Sequence, residues 1–150
     1  MKELKITPIK DGSVIDHITP GMSLKVLHVL KIPCSTTSVV SVAMNVQGKH
    51  GKKDIVKVEN RELDRSEVDK IALIAPKATI NIIRNYDVVA KHHVEIPDEV
   101  IGIVKCSNPT CVSNSNEPVK SRFIVTNKDP VVIRCYYCER EPEDISDRII

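Results

Sequence analysis

Four cysteines in the last third of the chain carry the clearest chemistry: Cys106 and Cys111, then Cys135 and Cys138. Their spacing is C-x4-C, 23 intervening residues, then C-x2-C. A cation with tetrahedral preference needs four donors converging from two points of the backbone. Two short cysteine pairs, each on a tight turn, supply them at small chain-entropy cost. Ser107, Asn108, Pro109 and Thr110 fill the first turn, and Tyr136 and Tyr137 the second. Four thiolates with no histidine nearby predict a closed structural site for one Zn2+ per chain, with no position open to water. The alternative is a pair of disulfides, or four buried thiols that fall in pairs. Against it, the start Met1-Lys2-Glu3-Leu4-Lys5 lacks the apolar core of a secretory signal. Metal-bound thiolates and an unpaired Cys34 with no activating partner both suit a reducing cytoplasm.

A second group of residues is dispersed. Asp16 interrupts the apolar run Val14-Ile15-Asp16-His17-Ile18, where a carboxylate needs a partner or a ligand. Lys57 interrupts Ile55-Val56-Lys57-Val58, and Lys91 follows Val88-Val89-Ala90. If those segments are neighbouring strands, one carboxylate and two ammonium groups line one edge of a sheet. An acid for ribose hydroxyls and lysines for phosphates would make a nucleotide site without a glycine-rich loop. The competing reading is that all three are ordinary solvent-facing residues of half-buried strands. No catalytic constellation stands out, and a small ferredoxin-like enzyme remains an alternative although no nucleophile and base are paired in the sequence. The adjacent His92 and His93 point to opposite faces of a predicted strand and cannot share one site. His28 and His50 are isolated.

The elements that must position these groups follow from pattern. The chain has 150 residues, 41% hydrophobic and 28% charged, enough for a packed core in one or two small domains. With one Phe, three Tyr and no Trp, that core is built from Val, Ile, Leu and Ala. A net charge of +2 gives no reason to expect a nucleic-acid or membrane partner, and no apolar run reaches membrane-spanning length. Leu4 to Ile9 reads as a first strand with Pro8 near an edge, and Val14–Ile18 as an apolar segment. Thr19-Pro20 predicts a helix start with Thr19 as N-cap, the helix running out near Pro33. Val39–Val46 and Ile55–Glu59 read as strands joined by a Gly48–Lys53 loop. Asp64 and Glu67 resemble a capping box, with Val68, Ile71, Ala72 and Ala75 at helical spacing and Pro76 as the stop. Ala78–Arg84 and Val88–Val94 read as a hairpin around Asn85-Tyr86-Asp87.

This βαββαβ order with an extra final strand predicts an α+β fold. Its N-terminal part is a ferredoxin-like antiparallel sheet with two helices on one face. Ile96-Pro97-Asp98-Glu99 reads as a linker, dividing the chain into domains 1–97 and 98–150. The second is a small zinc-bound β domain with short strands in Val100–Lys105, Arg122–Thr126 and Val131–Arg134. About fifty residues are too few for a self-sufficient core, so a metal staple is expected. The tail from Glu139 to Ile150 is charged and expected to fray.

Five ordered stretches, together with the cysteines, resemble the regulatory chain of aspartate carbamoyltransferase. They are Gly12–Ile18, Gly51–Asn60, Ile71–Pro76, Ala78–Asn81, Asn85–Val89 and the cysteine framework. The resemblance spans about Leu4 to Glu139. It implies a non-catalytic subunit whose N-terminal domain binds nucleotide effectors (CTP, UTP and ATP) and pairs two regulatory chains. It implies that the zinc domain docks on the catalytic chain, giving two catalytic trimers and three regulatory dimers that control a step of pyrimidine biosynthesis. Main-chain groups near Pro8 and Ile9 would read the base, and Asp16, beside His17, would meet the ribose. Lys57 would lie near base and ribose and Lys91 on the phosphates. Asn81, Ile83, Tyr86 and Val88 would form pocket walls, with Ile6 and Lys53 at the margin. Cys106, Cys111, Cys135 and Cys138 match the zinc ligands. Thr110 stands where many relatives have Asn, and Pro8 cannot donate a backbone N–H, so base recognition falls to carbonyls or to Ile9. A different class, a zinc-ribbon nucleic-acid module, would use Lys105, Lys120, Arg122, Arg134 and Arg140. Asp129, Glu139, Glu141, Glu143 and Asp144 break up that basic face.

Overall fold

The computed structural model describes residues 9–32, 34 and 37–150. The expected first strand falls mostly on residues 4–8, outside that set, and Ile6 and Pro8 lie outside it too. Of that stretch only Ile9 is described, buried and without regular structure. Eight strands and two helices follow in the order β1 (Gly12–Ile18), α1 (Ser23–Val29), β2 (Val40–Gly48), β3 (Gly51–Glu59), α2 (Arg65–Ile74), β4 (Thr79–Arg84), β5 (Asp87–His93), β6 (Glu99–Ile101), β7 (Arg122–Lys128) and β8 (Val131–Cys135). The first five strands form one antiparallel sheet in the order β2-β3-β1-β4-β5, and the last three a second sheet in sequence order.

Period-two alternation puts Ser13, Ile15, Val56, Val58, Ile80 and Ile82 on one face of the large sheet, all buried. Both helices cover that face: Val26, Val29 and Leu30 from the first helical segment and Ile71, Ala72 and Ala75 from the second join the same core. The expected α+β architecture is therefore present, with β5 added at the edge beside β4. Gly12 admits β1 between its neighbours, because its φ is 144° and a Cβ there would lie 2.2 Å from the Val58 carbonyl oxygen.

Three local expectations change. Thr19 does not cap α1; the Met22 N–H returns to the Thr19 carbonyl at 3.0 Å in a turn, and the helix begins at Ser23. The capping carboxylate comes instead from Asp54 on β3, which accepts the N–H groups of Gly21 (3.1 Å) and Ser23 (3.3 Å). Asp54 is fully buried and also holds the Asn45 N–H at 2.9 Å, pinning the bulge in β2. Burial opposes its charge, but the N–H donors of Asn45, Gly21 and Ser23 prevail and hold the carboxyl below its ordinary value. The expected Gly48–Lys53 loop shrinks to a turn at Lys49-His50, since Gln47 pairs with Lys52 and Gly48 with Gly51. In the second hairpin, Asn85 (φ 52°) and Tyr86 (φ 69°) are both left-handed, as a two-residue turn between twisted strands requires.

The second helix matches its pattern. Asp64 accepts the Glu67 N–H at 2.9 Å, and Glu67 returns the bond to the Asp64 N–H. The tail does not fray, contrary to expectation. Lys105 N–H meets the Arg148 carbonyl at 2.7 Å, Ile150 N–H meets Ile103 at 2.8 Å, and the Lys70 ammonium reaches the Ile150 carbonyl at 2.6 Å. Its charged residues alternate with Ile145 and Ile149, and Ile149 packs against the cores of both sheets.

Candidate functional site

The smaller sheet is built around the cysteines. Asn108 begins the first cysteine turn: its carbonyl accepts the Cys111 N–H at 3.1 Å and its side-chain oxygen the Thr110 N–H at 3.1 Å. Asn114 locks that loop from outside by donating to the carbonyls of Cys106 (3.0 Å) and Asn108 (2.7 Å). The second pair sits at the end of β8, where Glu139, left-handed at φ 64°, donates its N–H to the Cys135 carbonyl at 2.9 Å.

These turns bring four sulfurs together, all within 4.8 Å of one another. Cys106 and Cys138 stand 3.5 Å apart, and Cys111 and Cys135 3.7 Å apart. A tetrahedron with zinc–sulfur bonds of about 2.3 Å has edges of about 3.8 Å, so the donor set fits one Zn2+. Disulfide pairing does not describe it, since all five cysteines are free. Burial pushes the Cys106 thiol up to about 12, and Cys135 is raised for the same reason. For Cys138 burial is outweighed by donors including the Arg140 N–H and the Asn108 side chain, and it falls to about 7. Four thiolates cannot coexist at these separations without a cation to neutralise them. A divalent ion resolves that conflict, and with four protein donors it has no open position. The Ser113 hydroxyl, 3.1 Å from the Cys111 sulfur, is placed to donate to it.

The helix-free face of the large sheet holds the other group. Register makes Lys57 (β3), Val14 (β1), Asn81 (β4) and Lys91 (β5) direct cross-strand neighbours in one row. Three inter-strand steps separate the two lysines, about 14 Å. Partial burial lowers the Lys57 ammonium from its ordinary value. One step along, Asp16, Thr79 and His93 form the next row on the same face. Asp16 is paired with Lys53, whose ammonium lies 3.0 and 3.2 Å from its two oxygens, rather than with Lys57. A bulge follows Ile15, leaving His17 left-handed at φ 56° with its Nδ1 3.0 Å from the Thr79 hydroxyl. Towards the other end of the sheet lie Ile83, buried, and Val88 and Tyr86, exposed on the hairpin. The Tyr86 N–H bonds the Lys10 carbonyl at 2.9 Å, which brings Ile9 to that same end.

Of the expected nucleotide residues, register puts Asp16, Lys57, Asn81, Ile83, Val88 and Lys91 on one face, spread over three successive positions along it; His17 and Tyr86 lie in the bulge and the turn at its ends, Ile9 lies outside the strands, and Pro8 is outside the described residues. Sequence reasoning did not assign Thr79 or Asp54 a role and gave Lys53 only a marginal place. Asp54 was legible, since it shares the alternation of Val56 and Val58 and must be buried. The Lys53–Asp16 pair and the Thr79–His17 contact join residues 37 and 62 positions apart and leave no local signal.

Residues 4–95 match the aspartate carbamoyltransferase regulatory chain, allosteric domain, and residues 98–146 match the metal binding domain of the same chain. An aspartate carbamoyltransferase regulatory chain from Methanothrix thermoacetophila is 57% identical over 140 residues, covering 93% of this chain and 91% of its own length. One from Methanocella arvoryzae is 56% identical over 152 residues, covering 99% and 97%. One from Methanothermobacter thermautotrophicus is 58% identical over 139 residues, covering 92% and 88%. Matched over both segments and along almost its whole length, this chain belongs to the family of aspartate carbamoyltransferase regulatory chains.

Proposed function

We propose that the chain is the non-catalytic regulatory subunit of an aspartate carbamoyltransferase, with a nucleotide-responsive unit in residues 1–97 and a zinc-bound docking unit in residues 98–150. The observation that carries the nucleotide reading is the row Lys57–Val14–Asn81–Lys91, with Asp16 one step away on the same open face. An acceptor for ribose hydroxyls flanked by two ammonium groups suits a nucleoside triphosphate such as CTP, UTP or ATP. In this reading Ile9, Ile83, Tyr86 and Val88 take the base end, and Asp16, His17 and Lys53 the far end. The zinc site makes no bond and breaks none; it fixes the surface that meets the catalytic chain. Homodimer formation through the N-terminal unit is supported by edge strand β2, in which Val42 and Met44 are exposed, as is Val39 just before it. Reduced thiols support a cytoplasmic setting, and among the described residues no helix is long and apolar enough to cross a membrane.

The nucleic-acid reading is disfavoured by how its residues are engaged. Arg122 bonds Glu99 at 2.7 Å and lies 4.2 Å over the Tyr136 ring, while the Tyr137 hydroxyl donates to the Lys120 carbonyl at 3.1 Å. The deciding experiment mixes this chain with an aspartate carbamoyltransferase catalytic chain. A stable complex whose activity shifts with CTP, UTP or ATP is expected. Failure to associate, or an activity indifferent to all three, would overturn the proposal.

A further inference from the structure

Each cysteine sulfur of the metal site has a hydrogen-bond donor beside it. The Asn108 N–H donates to the Cys106 sulfur, and the Tyr137 and Cys138 N–H groups donate to Cys135. At Cys138 the Arg140 N–H is joined by the Asn108 side chain. Main-chain donors of this kind stay in place whatever side chain their residue carries. At Cys111 the neighbour is a side-chain hydroxyl, that of Ser113, 3.1 Å from the sulfur.

The turn that carries Ser113 is itself tied down. Val112–Asn114 form a 3-10 turn directly after the second cysteine, closed by the Asn114 N–H on the Cys111 carbonyl at 2.9 Å and the Ser115 N–H on the Val112 carbonyl at 3.1 Å. The Asn114 amide then fastens the turn to the carbonyls of Cys106 and Asn108, a contact that requires two N–H donors on one side chain. Val112 is left exposed, while Ser113 and Asn114 are half-buried against the cysteine loop. Four thiolates around one divalent cation leave an excess of negative charge in a partly desolvated site. An O–H donor to a thiolate spreads that charge and makes a stronger bond than a neutral pair.

We propose that Ser113 is a positioning residue for the metal: its hydroxyl holds and partly neutralises the Cys111 thiolate, Asn114 holds the turn in place, and together they set how firmly the ion is retained. This role rests on the zinc reading of the four cysteines and extends it to two residues that do not touch the ion.

The test uses the full chain loaded with Co2+, whose sulfur-to-metal charge-transfer band reports electron density on the thiolates. Zn2+ affinity is read beside it by competition with a chromophoric chelator. Ser113→Ala should still fill the site, move the band to longer wavelength and weaken Zn2+ about tenfold. Ser113→Thr keeps the hydroxyl and should restore both. Adding Asn114→Ala to Ser113→Ala should lower the thermal midpoint without moving the band further, because the hydrogen bond it positions is already gone. A Ser113→Ala protein with an unchanged band and affinity overturns the proposal. So does a lowered thermal midpoint with no band shift, the mark of a turn that only supports the fold, or a shift in Ser113→Thr equal to that in Ser113→Ala. No charge-transfer band in the unsubstituted chain would overturn the zinc reading itself, and this role with it.

Discussion

The two sheets of this molecule are held together by different physics. Among the described residues, fifteen buried apolar side chains join the five-stranded sheet to its two helices. The three-stranded sheet has a core of eight buried residues, of which three are cysteines and one, Leu73, belongs to α2 of the other region. Only Val100, Val104, Phe123 and Ile133 remain as its own apolar contribution. A segment of that size cannot offset the entropy of ordering its backbone by burial alone. The first region therefore carries its stability in distributed contacts, and the second concentrates it in one metal site. Distributed contacts tolerate the loss of any one member, whereas a metal site does not.

Metal removal is the largest test of that difference. Structural Zn2+ contributes apparent free energies of about 10–16 kcal/mol to small domains. Chelation, or Cys138→Ala, should unfold the chain from about Val100 onward and abolish docking to the catalytic chain, leaving nucleotide binding in place. Hydrogen exchange should show loss of protection at Phe123 and Ile133 and retained protection at Ile15 and Val56. Full assembly of metal-free protein with the catalytic chain would remove the basis of the comparison.

Within the first region, Asp54 is the nearest thing to a single point of failure. Its carboxylate serves the start of α1 and the β2 bulge together. Asp54→Asn turns part of that acceptor into a donor facing N–H groups and should cost about 2 kcal/mol, read by thermal or urea unfolding. The pH dependence follows from its depressed folded-state value. The contribution is complete above the unfolded carboxyl pKa of about 3.9 and is lost as pH falls through the lower folded value. In the Asn variant that part of the acid sensitivity should vanish. Unchanged acid unfolding would mean the carboxylate is not what holds α1 in place.

The face proposed for nucleotides should give smaller and more selective effects. Lys91→Ala should weaken a nucleoside triphosphate by about 2 kcal/mol and the nucleoside hardly at all, because only phosphate oxygens offer an ammonium a charged partner. Equal losses for the two ligands would place Lys91 elsewhere in the pocket. Asp16→Asn keeps an acceptor but loses its charge, so ribonucleotide affinity should fall by about 1.5 kcal/mol and deoxynucleotide affinity by less. Calorimetry on both pairs decides each. No change for either sugar makes Asp16 only the structural partner of Lys53.

What could be read from the chain tracks the same division between local and distant causes. The cysteine spacing, the Asp64–Glu67 capping box and the Asn85-Tyr86 turn are local, and the structure has each where its residues place it. Thr19 carried a helix-start signature of equal local quality and lost to Asp54, a buried carboxylate 31 positions from Ser23 with a stronger claim on the same N–H groups. The face shared by Lys57, Asn81 and Lys91 depended on strand order, which periodicity does not state. The tail misled because its charges are conspicuous, while Ile149, the residue that decides its fate, meets partners in both halves of the sequence.

Ile149 also gives the finest test of whether the two regions are separate. It lies half-buried between both cores, forms the isolated bridge with Val104, and follows Arg148, whose carbonyl accepts the Lys105 N–H. Ile149→Ala removes part of an aliphatic side chain that is only partly sheltered, so a cost of about 1 kcal/mol is expected rather than the larger loss of a full core deletion. The bridge to Val104 is made by backbone and should survive. If the regions unfold independently despite this contact and the Leu73 contact from α2, the loss falls on the zinc-held sheet, where four apolar residues have little in reserve. The first sheet should then keep its midpoint. If they form one cooperative unit, both midpoints fall together by the same free energy. Urea unfolding of the zinc-loaded protein in a Tyr86→Phe background distinguishes these outcomes, since fluorescence of Tyr136 and Tyr137 then reports the small sheet and far-ultraviolet dichroism reports the helices. Separate transitions, with only the tyrosine signal shifted by Ile149→Ala, are expected, because the metal and not this contact supplies most of what holds the second region together.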